Sequence, residues 1–350
     1  MRKILLFFIL LILVSCETTD IVIVNPIDDD SKKLIEETEL LLLEYKRTFN
    51  KEFLKRSYEI ISNLMKKANN NKYFEAKVLG LKGEYELAQG NKNIKGIIED
   101  IERKNKNEEK LYIIKAHLED DIAKKEEILN VGIKNANTNE RIKLFLADLY
   151  FLKGEYIKAT SLYDEVLPIL PEGYKKNYEK RRGISRVFIK NPPKDFKSGF
   201  IVEKDKITFD DVIKLTDMET DLLKEYRNLK DFELKEKLFN DKFIFDKNIN
   251  ISDYIKRKDV VYFLLKVVSL VDRDPSLLTK YSKSIEKIKK SDIEEKDLSP
   301  IPDVKMVDYF YTAVLVLVER EIIDLPDGTN FMPEEFISGL EYYSTLKKCR

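Results

Sequence analysis

The chain has 350 residues, 36% of them charged, and its 63 Lys and Arg balance 63 Asp and Glu beside a single histidine. A balanced charge leaves no basic footprint for nucleic acid and no polybasic patch for a membrane surface, so partners must be recognised by shape and local pattern. The length accommodates one or two domains, each large enough to bury a core.

At the N-terminus, Arg2 and Lys3 precede an unbroken apolar run from Ile4 to Val14, closed by Ser15 and Cys16. A charged start, an apolar stretch about a dozen residues long and small residues before a cleavage point define a secretory signal; the run is too short to span a bilayer. Leu13-Val14-Ser15-Cys16 resembles the lipobox of bacterial lipoproteins. The resemblance implies cleavage before Cys16, a diacylglyceryl group and an N-acyl chain on that residue, and a life outside the cytoplasm. Each buried CH₂ contributes about 0.8 kcal/mol, so several chains anchor stably where one would not. The expected location is the cell envelope, on the periplasmic side of the outer membrane. Without residues 1–15 the net charge is near −2. Acylated Cys16 leaves Cys349 without a disulfide partner, a free thiol with no expected role.

Residues 17–32 begin polar, pass through Ile21-Val22-Ile23-Val24-Asn25-Pro26 and end in an acidic run, which reads as a tether. From 33 to 186, apolar residues recur at helical spacing, as in Leu34, Leu41 and Tyr45 or Phe53, Tyr58, Ile61 and Met65. Breaks at Asn69-Asn70-Asn71, Lys104-Asn105-Lys106 and Asn135-Ala136-Asn137 divide the region into units starting near Lys33, Lys72, Asn107 and Glu140. A period of roughly 33 to 39 residues predicts stacked helical hairpins.

The fourth unit carries the most specific pattern. Ala147, Gly154, Tyr156, Ala159, Tyr163 and Pro171 stand at the spacing of a tetratricopeptide repeat, which this unit resembles. The resemblance implies a curved solenoid whose inner face, formed by first helices, binds peptides or partner domains. Carried onto this unit, that face would present Arg141, Leu144, Asp148 and Phe151. Val78-Leu79-Gly80-Leu81-Lys82-Gly83-Glu84-Tyr85 with Ala88 and Gly90 is a degenerate second instance.

Residues 187–206, with Asn191-Pro192-Pro193 and Ser198-Gly199, lose helical periodicity and are expected to be a linker. The part from 207 to 350 holds a second resemblance. Asp303-Val304, Tyr309, Ala313, Leu317, Asp327-Gly328-Thr329, Phe331, Pro333, Ser338 and Glu341-Tyr342 resemble an S-layer homology module: an opening, a helix, a tight turn, a buried Phe and a second helix. Thr312 to Val318 could be a buried strand by propensity alone, and the resemblance assigns a helix. Phe209-Asp210-Asp211-Val212 is read as repeating the opening, and Ile255 to Val260 as aligning with Ile337 to Tyr342. Two modules are thus expected at 207–272 and 301–348, joined by a polar helical connection at 276–297. In that family an Arg at the start of the second helix binds anionic wall polysaccharide. Arg257 retains it; Gly339 stands at the second position.

Catalytic constellations are missing from the pattern. His117 has no second His or nearby Cys at metal-ligand spacing, and eleven glycines supply no phosphate-cradling loop or nucleophile elbow. Carboxylate runs such as Glu119-Asp120-Asp121 read as solvated faces. The expectation is an all-α protein, a tetratricopeptide-like helical-hairpin solenoid followed by two S-layer homology-like modules, with no enzyme activity, cofactor or metal. Its expected role is an interaction scaffold for envelope proteins, an accessory of outer-membrane protein assembly. The alternative is an anchor to peptidoglycan or a wall polymer through Arg257.

Overall fold

A computed structural model describes residues 27–290 and 299–349. The signal, Cys16, most of the tether and the end of the expected 276–297 connection lie outside those residues. Among the described residues the architecture is all-helical, with only isolated antiparallel bridges at Thr208–Tyr254 and Lys256–Phe336. No described helix is long and apolar enough to cross a membrane. Contacts divide the chain into Met1–Phe145 and Leu146–Arg350.

The first unit is a series of helical hairpins. α1 (Asp29–Thr48) pairs with α2 (Lys51–Lys67), α3 (Lys72–Ala88) with α4 (Lys95–Asn105), and α5 (Glu109–Leu118) with α6 (Ile122–Asn135). Of the expected breaks, Asn71 is the cap of α3 and accepts from the Phe74 N–H at 3.1 Å, while Asn105 and Asn135 are the last residues of α4 and α6; Asn50, outside those breaks, caps α2 and accepts from the Glu52 N–H at 3.1 Å. Such caps satisfy N–H groups that a helix start leaves without partners, each stabilising by about 1 kcal/mol. α3 is apolar on two sides because it is packed on two sides. Phe74, Val78 and Leu81 join Ile35, Ile60 and Leu64 in one cluster, while Ala76 and Leu79 join Ile94, Ile101 and Ile114 in another.

The second unit includes α8 (Tyr156–Val166), α9 (Glu172–Lys190), the short α10 (Ser198–Val202), α11 (Phe209–Thr220), α12 (Asp231–Asn240), α13 (Arg257–Val271), α14 (Ser282–Lys290), α15 (Tyr311–Glu319) and α16 (Gly339–Lys348). α7 (Glu140–Leu152) contributes its second half. Ala147 and Ala159 are fully buried, as close-packing positions require, and the Tyr163 ring is fully buried with its hydroxyl donating to Asp148. Gly154 supplies the turn at φ +77, and Pro171 forms the N-cap of α9. Thr312 to Val318 lie within the helix α15, as the module pattern predicts.

Two expectations about this unit change. Residues 187–206 are not a linker: α9 continues to Lys190, Tyr343 donates to the Asn191 carbonyl at 2.7 Å, and Ser198 donates to the buried Glu219 at 2.8 Å. Proline and glycine broke the periodicity, yet the segment gains its partners from residues over 20 to 150 positions away, which no local pattern reveals. Phe209 to Val212 also do not match the opening at Asp303-Val304. Thr208 caps α11 with Asp211 closing a reciprocal capping box, so this segment is another helix start of the kind seen at Arg257 and Gly339.

These three helix starts meet. Ile255 N–H bonds the Ile207 carbonyl at 3.0 Å, Arg257 N–H the Glu335 carbonyl at 2.9 Å, and Ile207 N–H the Ile337 carbonyl at 3.2 Å. Gly339 N–H closes on Lys204 at 2.9 Å. Each extended segment thereby satisfies its backbone on its neighbours before turning into a helix with an acid at the third position: Asp211, Asp259 or Glu341.

Candidate functional site

Three of the residues expected to line an open inner face, Arg141, Leu144 and Phe151, are buried, and Asp148 is half-buried. Leu144 is fully buried and Phe151 is 5% exposed, packed with Tyr156 and Phe188 at ring separations of 5.7 and 6.1 Å. Asp148 accepts from Tyr163 and pairs with Arg181 at 2.9 Å. Burial raises its carboxyl above the ordinary range despite Arg181. Arg141 is 7% exposed and bonds Glu84 at 2.6 Å and Glu39 at 3.2 Å. Hence Arg141, Leu144 and Phe151 pack inside the fold, and Asp148 is already paired with Arg181 and Tyr163. An arginine on a helix reads as solvated unless its partner is known, and Glu39 lies 102 positions away.

Arg257 is likewise committed. It is 7% exposed, donates to the Phe331 carbonyl at 2.8 Å, pairs with Glu341, and lies over the Phe331 ring at 5.0 Å. A guanidinium with these partners clasps α13 to α16 and is not held out for a glycan anion. Gly339 has its own reason. A Cβ there would lie 2.8 Å from the Val202 Cα and closer still to the Ile201 carbonyl oxygen, so α10 occupies the space an Arg would need. His117 is exposed on α5, and Cys349 is a buried free thiol that burial pushes up to about 12, donating to the Thr345 carbonyl. No group of described His, Cys, Asp or Glu could hold a metal ion.

Open recesses are found around an aromatic stack that the sequence pattern left unmarked except at Tyr309. Phe245 lies face to face with Tyr309, ring centres 4.4 Å apart and planes 15° apart, and Tyr262 meets both edge-on. The Tyr309 hydroxyl donates to Asp259, whose carboxyl burial raises above the ordinary range. Phe245 remains 55% exposed, a large apolar face left to solvent. Two clefts share this wall. One, about 480 Å³, adds Phe209, Ile244 and Lys258; the other, about 580 Å³, adds Phe239, Lys242 and Leu278. Both volumes fall in the range of binding recesses. Beside Arg257 lies a smaller cleft of about 340 Å³ bounded by Asp324, Glu341 and Lys348.

Comparison with protein-family models, curated proteins and solved structures finds no match to this chain.

Proposed function

We propose that the chain is an envelope lipoprotein, tethered through Cys16, that works by docking a partner protein, with the Phe245–Tyr309 stack as its contact point. The lipobox-like sequence supports the tether, and the packed hairpins are consistent with the tetratricopeptide resemblance. The observation that carries the docking reading is the exposed Phe245 face between clefts of about 480 and 580 Å³. Aromatic side chains in partly enclosed pockets dominate binding energy at protein interfaces, and truncating one costs about 2 kcal/mol or more. An accessory role in outer-membrane protein assembly fits a tethered docking protein. The partner surface moves from the repeats to the C-terminal unit, because, of the repeat residues first expected to serve, three are buried and Asp148 is paired with Arg181.

Anchoring to a wall polymer is a second reading, favoured by the three similar helix starts that pair with one another. Against it, Arg257 is already bonded. The test compares the full-length chain with Phe245→Ala and with Phe232→Ala, which removes a 77% exposed ring away from the clefts. Cross-linked partners from detergent-solubilised envelope, and sedimentation with purified wall sacculi, are read for each. Docking predicts loss of one set of protein partners by Phe245→Ala alone. Equal partner sets in both variants would reject it, and loss of sacculus binding would favour the anchor.

A further inference from the structure

The backbone from the end of α9 into α10 is held firmly to the C-terminal unit, yet two of its rings face out. Tyr343 donates to the Asn191 carbonyl at 2.7 Å, Lys347 to the Pro192 carbonyl at 3.0 Å, and the Lys194 N–H and Ser198 hydroxyl reach the buried Glu219 at 3.2 and 2.8 Å. α10 then buries Ser198, Gly199, Ile201 and Val202. Phe196 and Phe200, about one helical turn apart in sequence, stay 59% and 55% exposed. Rings left in water forfeit the hydrophobic gain of burial, and a fixed backbone that keeps them there marks a contact surface.

The charges along this segment are one-sided. From Lys190 to Phe200, three exposed lysines, Lys190, Lys194 and Lys197, stand against one acid, Asp195, a local +2 in a chain whose charges sum to zero. The Asp195 carboxylate is turned back on the segment, where it accepts the Lys197 N–H at 2.9 Å. Among the described residues Lys190 and Lys197 form no ion pair. Lys194 reaches Asp221 at 3.8 Å, and that carboxylate is shared with Lys224 and Arg227 at 3.4 and 3.5 Å. Phe232 has the opposite surroundings: its ring is 77% exposed between Asp231 and Glu233. The balance of the whole chain therefore conceals one surface where exposed rings and unpaired ammonium groups occur together.

We propose that Phe196 and Phe200, with Lys190, Lys194 and Lys197, form a docking patch for an anionic lipid surface. Phenylalanine rings enter the boundary between headgroups and acyl chains, while lysine stems lie along that boundary and carry their ammonium groups to the lipid phosphates. The charge of the patch is complementary to such a surface. Its proximity follows from the acylation of Cys16, a reading on which this inference rests. Only residues 17–26 separate the lipidated residue from the first described one, and ten residues reach at most about 36 Å. A bilayer held that near needs little further attraction, and each lysine at an anionic surface favours the docked state about fivefold. The acyl chains supply the anchorage; the patch sets which face of the C-terminal unit meets the bilayer.

The chain contains no tryptophan, so Phe200→Trp places a single indole reporter in the patch and Phe232→Trp places one at the acid-flanked ring. Each full-length chain, purified from its membrane, is reconstituted in vesicles of phosphatidylcholine brominated in its acyl chains, alone or mixed two to one with phosphatidylglycerol. Bromine there quenches only an indole that enters the lipid. The Phe200→Trp emission should be quenched and blue-shifted in the mixed vesicles. The docked-to-free ratio should fall about fivefold for each of Lys190→Gln, Lys194→Gln and Lys197→Gln. It should also fall at about 1 M salt, where charges are screened beyond about 3 Å. The Phe232→Trp emission should be the same in both vesicles. Intact mass of the same samples reports acylation separately: an unmodified Cys16 with quenching that depends on phosphatidylglycerol would remove the tether and keep the patch. Quenching independent of phosphatidylglycerol, no response to the three lysine changes, or equal quenching of the two reporters would overturn the proposal. A Phe200→Trp chain quenched in neither vesicle would overturn it too and leave the rings to a protein partner.

Discussion

Replacing Gly339 by alanine adds one methyl group at a place where backbone already stands. The new Cβ would lie 2.8 Å from Val202 Cα and nearer to the Ile201 carbonyl oxygen, and neither is the movable end of a side chain. α10 and α16 must therefore separate. Overpacking of this kind costs about 1 to 3 kcal/mol. The separation also weakens the Gly339 N–H bond to Lys204, 2.9 Å long, and disturbs the Ser338 cap on Glu341 N–H, adding about 1 kcal/mol each. The expected loss is about 3 to 5 kcal/mol. Gly183 in α9 provides the matched control, since a Cβ there meets nothing within 4 Å; alanine at that helix-interior site should stabilise by about 0.5 to 1 kcal/mol. Urea denaturation of the two variants reads the difference directly. A Gly339→Ala chain within about 0.5 kcal/mol of the wild type, the usual range for uneventful surface changes, would refute the close approach of α10.

Further outcomes follow from the charged groups. Because Glu39 is held at about 2, its contribution to stability is present above the ordinary glutamate value and is lost as pH falls toward 2. It is on the order of 3 kcal/mol, so Glu39→Gln should be less stable than wild type at neutral pH and should flatten the acid limb of the stability profile. An unchanged acid limb would contradict the pairing with Lys110 and Arg141. Arg257→Ala should destabilise the C-terminal unit by about 2 kcal/mol, because the Phe331 carbonyl loses its buried donor and the Phe331 ring loses the stacked guanidinium. Retention of full stability with loss of sacculus binding would return Arg257 to a ligand role.

Much of the helical order was legible in the chain itself. The asparagine-containing breaks fell between helices, Asn71 as the cap of α3 and Asn105 and Asn135 as the last residues of α4 and α6, and the units expected near Lys72 and Glu140 begin with helices at those residues. Tyr163 and the paired alanines were readable because close crossings admit few residue types. The burial of Arg141 and Arg257 was not, since an arginine's solvation depends on carboxylates 102 and 84 positions away. Phe245 gave no signal either. A phenylalanine between Ile244 and Asp246 looks like core until the clefts beside it are known.

Lipid attachment is the claim on which the envelope role depends, and the intact mass of the mature N-terminus tests it most directly. Tandem mass spectrometry of protein purified from its native membrane should find a first peptide beginning at Cys16 and carrying a diacylglyceryl group with an N-acyl chain. Cys16→Ser should yield an uncleaved, unlipidated chain. A wild-type N-terminus that begins elsewhere, or an unmodified Cys16, would contradict the account.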